Sequence, residues 1–396
     1  MSTPVQPTSS NTHISDNFGK LLEPGLRKIF FETYTEVPEQ FSKLYKMNTS
    51  KKAKEHDYGL GAFGDWTERA TGLSEVDYET ISPGLERTYT HKAFTKGFMI
   101  ERELYDDEQY RQINKFPAAM ARAGRAFVEK EAAKLFNRAF LIANAVYDGK
   151  ALIGSGKTLL DNSSKTGTNL ATGALTDANL KAALQIMRGT VDEAGNIIGL
   201  MPNKLIVPPA LEFTAKTLIN STLLPGSPNN DSNVIKGALD VVVYDYIGAA
   251  AGGSDTAWFI MDSGRHEINF FWRIKPEFKW DEDFDTLVSK YRGYMRFSYG
   301  VSDWRGIVGS LGGTASALPV VTAPAATATT CVVATCVNGA SLTLIKNGEP
   351  IATATSSAIS HTFSGLTALV AGDKMFVTQT ETGKVPTESV LKTVTA

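Results

Sequence analysis

Between residues 115 and 146, Val128, Ala132, Leu135, Ala139, Ile142 and Val146 recur in alternating steps of four and three, which puts them on one stripe of a long helix. Away from that stripe Lys130, Lys134 and Arg138 stand four apart, following Arg122 and Arg125, and predict a charged outer row. Such a row is either a solvated face or a partner for acidic loops or phosphate. From Glu86 to Phe94, β-favouring and charged residues alternate as in one arm of a two-stranded ribbon spanning 51–100. The rest of that stretch is punctuated by glycines and is acidic in its middle, with Asp65, Glu68, Glu75, Asp77 and Glu79. An isolated ribbon is marginally stable in water, so it needs another subunit to lie on. Gly59, Gly61, Gly97 and Gly124 are candidate hinges.

Residues 1 to about 20, rich in Ser, Thr, Pro and Asn, predict an extended arm that orders against a partner. The aromatic stretch from Leu21 to Met47 holds Pro24 and Pro38 and predicts short helical pieces. Thr176 caps a helix, Asp192–Asn196 turns the chain, Lys204–Val207 is a short buried strand, and Pro208-Pro209 opens a second helix. Strand-like runs follow at Leu239–Tyr246, Ala257–Met261 and His266–Ile274, giving an α+β body. A linker rich in Ala, Thr, Ser and Pro follows Gly309–Gly313. Beyond it, Asn338-Gly339 and Asn347-Gly348 flank the strand-like Ser341–Lys346 as hairpin signals, with further strands near Ile351, Phe363, Met375–Gln379 and Val390. This tail fits a small, nearly neutral β-sandwich of the immunoglobulin type.

Composition narrows the function more by exclusion than by assignment. The 396 residues carry 40 Lys+Arg against 42 Asp+Glu, a formal charge of −2, so the chain lacks the basic excess that grips nucleic acid. The first ten residues lack the basic and apolar regions of a signal peptide, and no stretch approaches the ~18 apolar residues of a membrane span; the chain reads as cytosolically made and soluble. Cys331 and Cys336 have no second pair and no nearby His, so they read as two buried thiols, with a local disulfide as the alternative. Gly154-Ser155-Gly156-Lys157-Thr158 ends like a phosphate-binding loop, but Ala151 stands where its first glycine belongs, and a glycine-rich surface loop is the better reading. The five histidines lack metal-binding spacing, no Gly-x-Ser-x-Gly elbow is present, and the carboxylates of Asp281–Asp285 read as turn and surface groups. No catalytic, cofactor-binding or metal-ligating residue is predicted, and the chain is not expected to be an enzyme.

Lys279–Thr286, Tyr291–Gly300 and Asp303–Ser310 together look like the closing segment of a tailed-phage major capsid protein and resemble the Mu-like prophage major head subunit family. Pro208–Ala215, Pro225–Asp231, Thr88–Lys92 and Asp106–Tyr110 extend that resemblance over about residues 20 to 312. It implies the α+β Hong Kong 97-like capsid fold, laid out as an N-terminal arm (1–50), extended loop (51–100), peripheral domain with spine helix (101–175), axial domain (176–275) and closing strands of the peripheral domain (276–312). A linker (313–330) and an immunoglobulin-like surface module (331–396) complete the expected organisation. The resemblance further implies a virion shell of identical subunits in pentamers and hexamers, assembled in the bacterial cytoplasm around weakly held double-stranded DNA, with a portal and no membrane. The absence of a long helical pro-segment points to a separate scaffolding protein. The expected inter-subunit contact sets Asp65, Glu68, Glu75 or Asp77 of the loop against Lys130, Lys134 or Arg138 of a neighbour's spine helix. The rival reading is a bacterial surface or fibre protein with an immunoglobulin-like adhesion module.

Overall fold

The computed structural model describes residues 18–64, 66, 68, 78–81, 83–101, 113–141, 146, 150–159, 166–225, 231–283, 288–313, 316–347, 349–381, 387–389 and 392–395. Along the chain come α1 (Phe18–Glu36), β1 (Lys46–Thr49), β2 (Lys54–Leu60), β3 (Pro83–Thr90), β4 (Lys92–Glu101), α2 (Lys115–Asn137), β5 (Lys157–Thr158), β6 (Thr166–Gly167) and β7 (Leu170–Ala171). They are followed by α3 (Asp177–Arg188), β8 (Lys204–Val207), α4 (Glu212–Asn220), β9 (Asp240–Val243), β10 (Trp258–Met261), β11 (Ile268–Asp283), β12 (Val288–Val301) and β13 (Ile307–Ser310), with eight further strands in a C-terminal module. The expected α+β class is observed.

Two sheets organise the body. One runs β1-β11-β12-β4, with β1 parallel to β11 and the rest antiparallel, and α2 shares its core. Alanine-rich sequence favours that helix, and Pro117 falls in its first turn, where a missing N–H costs least. Phe41, Tyr45, Val128, Phe136, Phe270 and Phe297 fill the core, and the Tyr45 hydroxyl donates to the Ala132 carbonyl at 2.6 Å. The other sheet runs β7-β13-β10-β8-β9 and is buried on both faces. The strand period of two explains why β10 is apolar throughout: Phe259 and Met261 join the core with α2, while Trp258 and Ile260 join a core with α3 and α4.

Several expectations change on this frame. Pro24 does not break the first helix, which runs on for 19 residues because Leu26 and Phe30 are buried against Ile100, Ile113, Ala121, Phe278 and Tyr291. It stops ahead of Val37-Pro38, where the proline disfavours helical backbone. The long helix ends at Asn137 although the apolar period continues, since the Asn137 amide bonds the carbonyls of Tyr246 and Ala251 and the chain turns at that point; Ile142 lies outside the described residues. The strand expected at 266–274 belongs to the sheet of β4 and β12, whereas β13, expected to close the peripheral domain, pairs with β7 and β10. Gly97 is a packing position, since a Cβ there would lie 2.6 Å from the Tyr291 carbonyl oxygen, whereas at Gly124, inside α2, a Cβ would make only ordinary contact with the Tyr34 ring at 3.9 Å.

His266 is buried and its Nδ1 accepts the Ile268 N–H at 3.2 Å, which requires the neutral ring. Burial, with Lys46 and Lys204 nearby, pushes its pKa down to about 4. The unfolded chain takes up this proton below about pH 6.5 while the folded chain resists it, so stability is full above that value and falls as pH drops toward 4. The loss is roughly 3 kcal/mol. Urea titrations at pH 7 and pH 4.5 should show a smaller drop for His266→Asn than for the wild-type chain.

The C-terminal module contains β14 (Val320–Val321), β15 (Cys331–Thr335), β16 (Ser341–Lys346), β17 (Glu349–Thr355), β18 (His361–Phe363), β19 (Lys374–Thr380), β20 (Thr387–Glu388) and β21 (Lys392–Thr393). They form the sheets β14-β15-β18 and β17-β16-β19-β20, with β21 also on β19, around Val321, Val333, Leu342, Leu344, Phe363 and Val377. Asn347 adopts φ +50° between the paired β16 and β17, as a tight hairpin requires. The Asn338-Gly339 turn instead carries the chain from one sheet to the other, so it is not a hairpin. Cys331 and Cys336 are both buried and free, and burial pushes the Cys331 thiol up to about 11.

Candidate assembly surface

The strands β2 and β3 pair with each other in a two-stranded sheet whose base is tied to the body. Ser302 Oγ donates to Asp57 and bonds the Tyr89 hydroxyl, and the Tyr89 ring lies against Gly300, where a Cβ would meet it at 2.6 Å. Beyond the base, Tyr58, Leu60, Phe63, Trp66 and Tyr78 are 61%, 70%, 60%, 100% and 89% exposed. The Gly64 N–H donates to Glu79 at 2.8 Å, fastening the two limbs of the loop. The expected ribbon is therefore present, but it ends at Thr90: residues 92–100, expected within the loop, belong to the edge strand β4 of a body sheet.

The basic row on α2 is less uniform than its spacing predicts. Arg125 points inward, where it pairs with Glu39 at 2.7 Å and lies 4.9 Å from the Tyr34 ring centre. Lys134 pairs with Glu131 at 2.5 Å, and Arg138 is half-buried at the helix end. Lys130 is exposed and borders a cavity of about 660 Å³ lined by Phe30, Tyr34, Phe94, Met120 and Met295. Of the acidic candidates, Glu68 is exposed, while Asp65, Glu75 and Asp77 lie outside the described residues. No loop residue and helix residue of this set meet within the chain among the described contacts.

Sequence reading missed Glu129, one residue from Lys130 and buried. Its carboxylate accepts the N–H groups of Gln40 and Phe41 at 2.8 and 3.1 Å, which clasps the segment after α1 to α2. Burial raises its pKa, although those two N–H bonds and Arg125 oppose the shift. The exposed aromatics of the ribbon were also missed, and their signal was apolar side chains with no period in a glycine-rich acidic stretch. Lys157 of the Gly-Lys-Thr run is fully buried, donates to the Ala151 carbonyl and lies 6.0 Å from the Trp304 ring centre, so it cannot meet a phosphate. Thr158 ends a short strand instead of opening a helix. Among the described residues no cluster of three or more His, Cys, Asp or Glu could hold a metal, and no helix is long and apolar enough to cross a membrane.

A chain that holds out a paired ribbon with its large apolar side chains in solvent, from a body whose own cores are closed, has the form of a building subunit. Residues 85–310, more than half of the chain, match the family model described as phage capsid protein, and the chain belongs to that family. It is 39% identical over 75 residues to the major capsid protein of Escherichia phage Mu, a match spanning 19% of this chain and 25% of that relative. Its backbone is also similar to the procapsid protein of bacteriophage JBD30 (TM-score 0.42, 16% identity, 75% of this chain and 76% of that one). A mature capsid chain of bacteriophage PhiM1 is similar with TM-score 0.43 and 14% identity over 67% of this chain and 84% of that one.

Proposed function

We propose that the chain is the major shell subunit of a tailed-phage head, with a Hong Kong 97-like layout and a structural instead of a catalytic role. The observation that carries this reading is the ribbon: Trp66 and Tyr78 are almost fully solvated, an arrangement useful when a second copy covers them. Identical subunits in pentamers and hexamers would enclose double-stranded DNA, assembled in the host cytoplasm with a portal and a separate scaffolding protein. The near-zero net charge supports a lining that holds the genome weakly and releases it. The C-terminal β-module, of immunoglobulin type on this reading, is displayed on the outer surface.

In the shell the ribbon lies across a neighbour's α2, with Asp65, Glu68, Glu75 or Asp77 facing Lys130, Lys134 or Arg138. Exposed pairs give only ~0.2–1 kcal/mol each, so they set register and partner choice, and repetition over many copies makes them count. Lys134→Glu places a second carboxylate beside Glu131 and faces the ribbon with like charge. Electron microscopy of this variant with scaffold should show few closed shells; normal particles in normal yield would refute the pairing.

A further inference from the structure

His91 occupies the one position between β3 and β4, where the chain passes from the ribbon into the body sheet. Its ring is only 4% exposed, with Nε2 3.1 Å from Ser50 Oγ and Nδ1 2.9 Å from Ser298 Oγ. Ser50 Oγ in turn donates to Glu55 Oε1 at 2.6 Å. These contacts fix the proton order. A carboxylate only accepts, so the single Ser50 proton goes to Glu55, and the Ser50 oxygen accepts from His91 Nε2–H. Nδ1 is then the bare nitrogen and accepts from the Ser298 hydroxyl. One directed chain, Ser298 to His91 to Ser50 to Glu55, thus runs from β12 across the pivot into β2.

We propose that His91 is a proton-sensitive lock on the ribbon's root: the neutral ring holds the ribbon to the body, and protonation at Nδ1 displaces the Ser298 hydroxyl and frees the ribbon to swing. The charged groups around the ring come from three strands. Arg296 on β12, whose Nε donates to the His91 carbonyl at 3.4 Å, and Arg273 on β11 oppose an imidazolium, while Glu55 on β2 favours one and is itself paired with Lys52 at 3.3 Å. Burial is the largest influence and, with the arginines, holds the His91 pKa below the ordinary imidazole value. The proton therefore enters preferentially when the root opens. The ribbon's other histidine, His56, lies against Glu86 across the strand pair and takes no part in the lock. The lock is a property of the single chain and does not depend on shell formation.

Hydrogen–deuterium exchange on the unassembled full-length chain between pH 7.5 and pH 5, expressed as protection factors corrected for intrinsic rates, tests the lock. Peptides covering 50–60 and 83–91 should lose protection below roughly pH 6.5, by up to about tenfold per pH unit. His91→Asn offers a donor and an acceptor with no proton to take up, and should make the ribbon's protection flat with pH; His56→Gln should leave the loss in place. Ser298→Ala, which removes the donor to Nδ1 and spares the ring, should lower the ribbon's protection at pH 7.5 and shrink its further loss toward pH 5. Constant ribbon protection in the wild-type chain, the same loss in His91→Asn, or an undiminished loss in Ser298→Ala would each overturn the proposal.

Discussion

Excising residues 61–82 and joining Leu60 to Pro83 through an Asn-Gly turn is expected to leave a soluble, folded chain that forms no closed shells. Leu60 and Pro83 already stand opposite each other in the ribbon, so a two-residue connection suits the strand ends. None of Tyr58, Leu60, Phe63, Trp66 and Tyr78 belongs to a buried cluster of the body. The deletion therefore costs the isolated subunit little and removes apolar area that only a neighbour could bury. At about 25 cal/mol per Å² buried, losing three exposed aromatics, Phe63, Trp66 and Tyr78, takes several kcal/mol from each subunit contact. Thermal melting should stay within a few degrees of the parent, while electron microscopy with scaffold should show only dispersed subunits or rings. Closed shells from the shortened chain would refute the role of the ribbon.

Replacing Arg305 by Met should cost about 3–5 kcal/mol of folding stability, the largest loss expected from a single substitution. The Arg305 side chain is 7% exposed, as is that of Glu193, to which it donates at 2.8 Å; it also bonds Asp303 at 3.1 Å and the Val191 carbonyl at 2.7 Å. Its guanidinium lies 4.7 Å from the Trp304 ring centre. Met fills most of the volume but leaves the Glu193 carboxylate buried beside Asp303, whose pKa burial already raises and Arg305 lowers. The unfavourable charge is the origin of the loss, so the double variant Arg305→Met/Glu193→Gln should recover a substantial part of it. Urea unfolding of the two variants checks this, and equal stabilities would point to packing on Trp304 as the dominant contribution.

What could be read ahead of the structure followed the range of the forces involved. The Thr176 cap, whose hydroxyl accepts the Asn179 N–H at 3.3 Å, and the Asp192 turn, whose carboxylate accepts the N–H groups of Gly195 and Asn196 at 2.8 Å, are local and stood out in the pattern. The short strand Lys204–Val207 was legible for the same reason. Sheet membership was not. Whether β13 joins β12 or β10 depends on partners some fifty residues apart, and an apolar run such as Ile307–Ser310 suits either sheet. Pro24 misled because the burial of Leu26 and Phe30 outweighs a missing N–H. In the basic row a period of four fixed which residues share a face, but Arg125 shows that a charged residue on a helix can still be drawn inward by a tyrosine ring and a glutamate from another segment. The Ser298–His91–Ser50–Glu55 chain joins β12 to β2 through two residues that lie between strands, and gave no signal in spacing at all.

The parallel pairing of Lys46–Thr49 with Asn269–Trp272 joins residues about 220 positions apart, as in the Asn48–Asn269 contact. During synthesis the first of these strands must therefore wait for most of the chain to leave the ribosome before its hydrogen bonds can close. Long-range parallel contacts of this kind form slowly. Throughout that interval the ribbon's aromatic surface is already made and has nothing of its own to cover it, so fresh copies are exposed to premature clumping. Sheltering half-made chains through that interval would raise the yield of folded subunit by shortening the exposure, without altering any contact the finished chain makes.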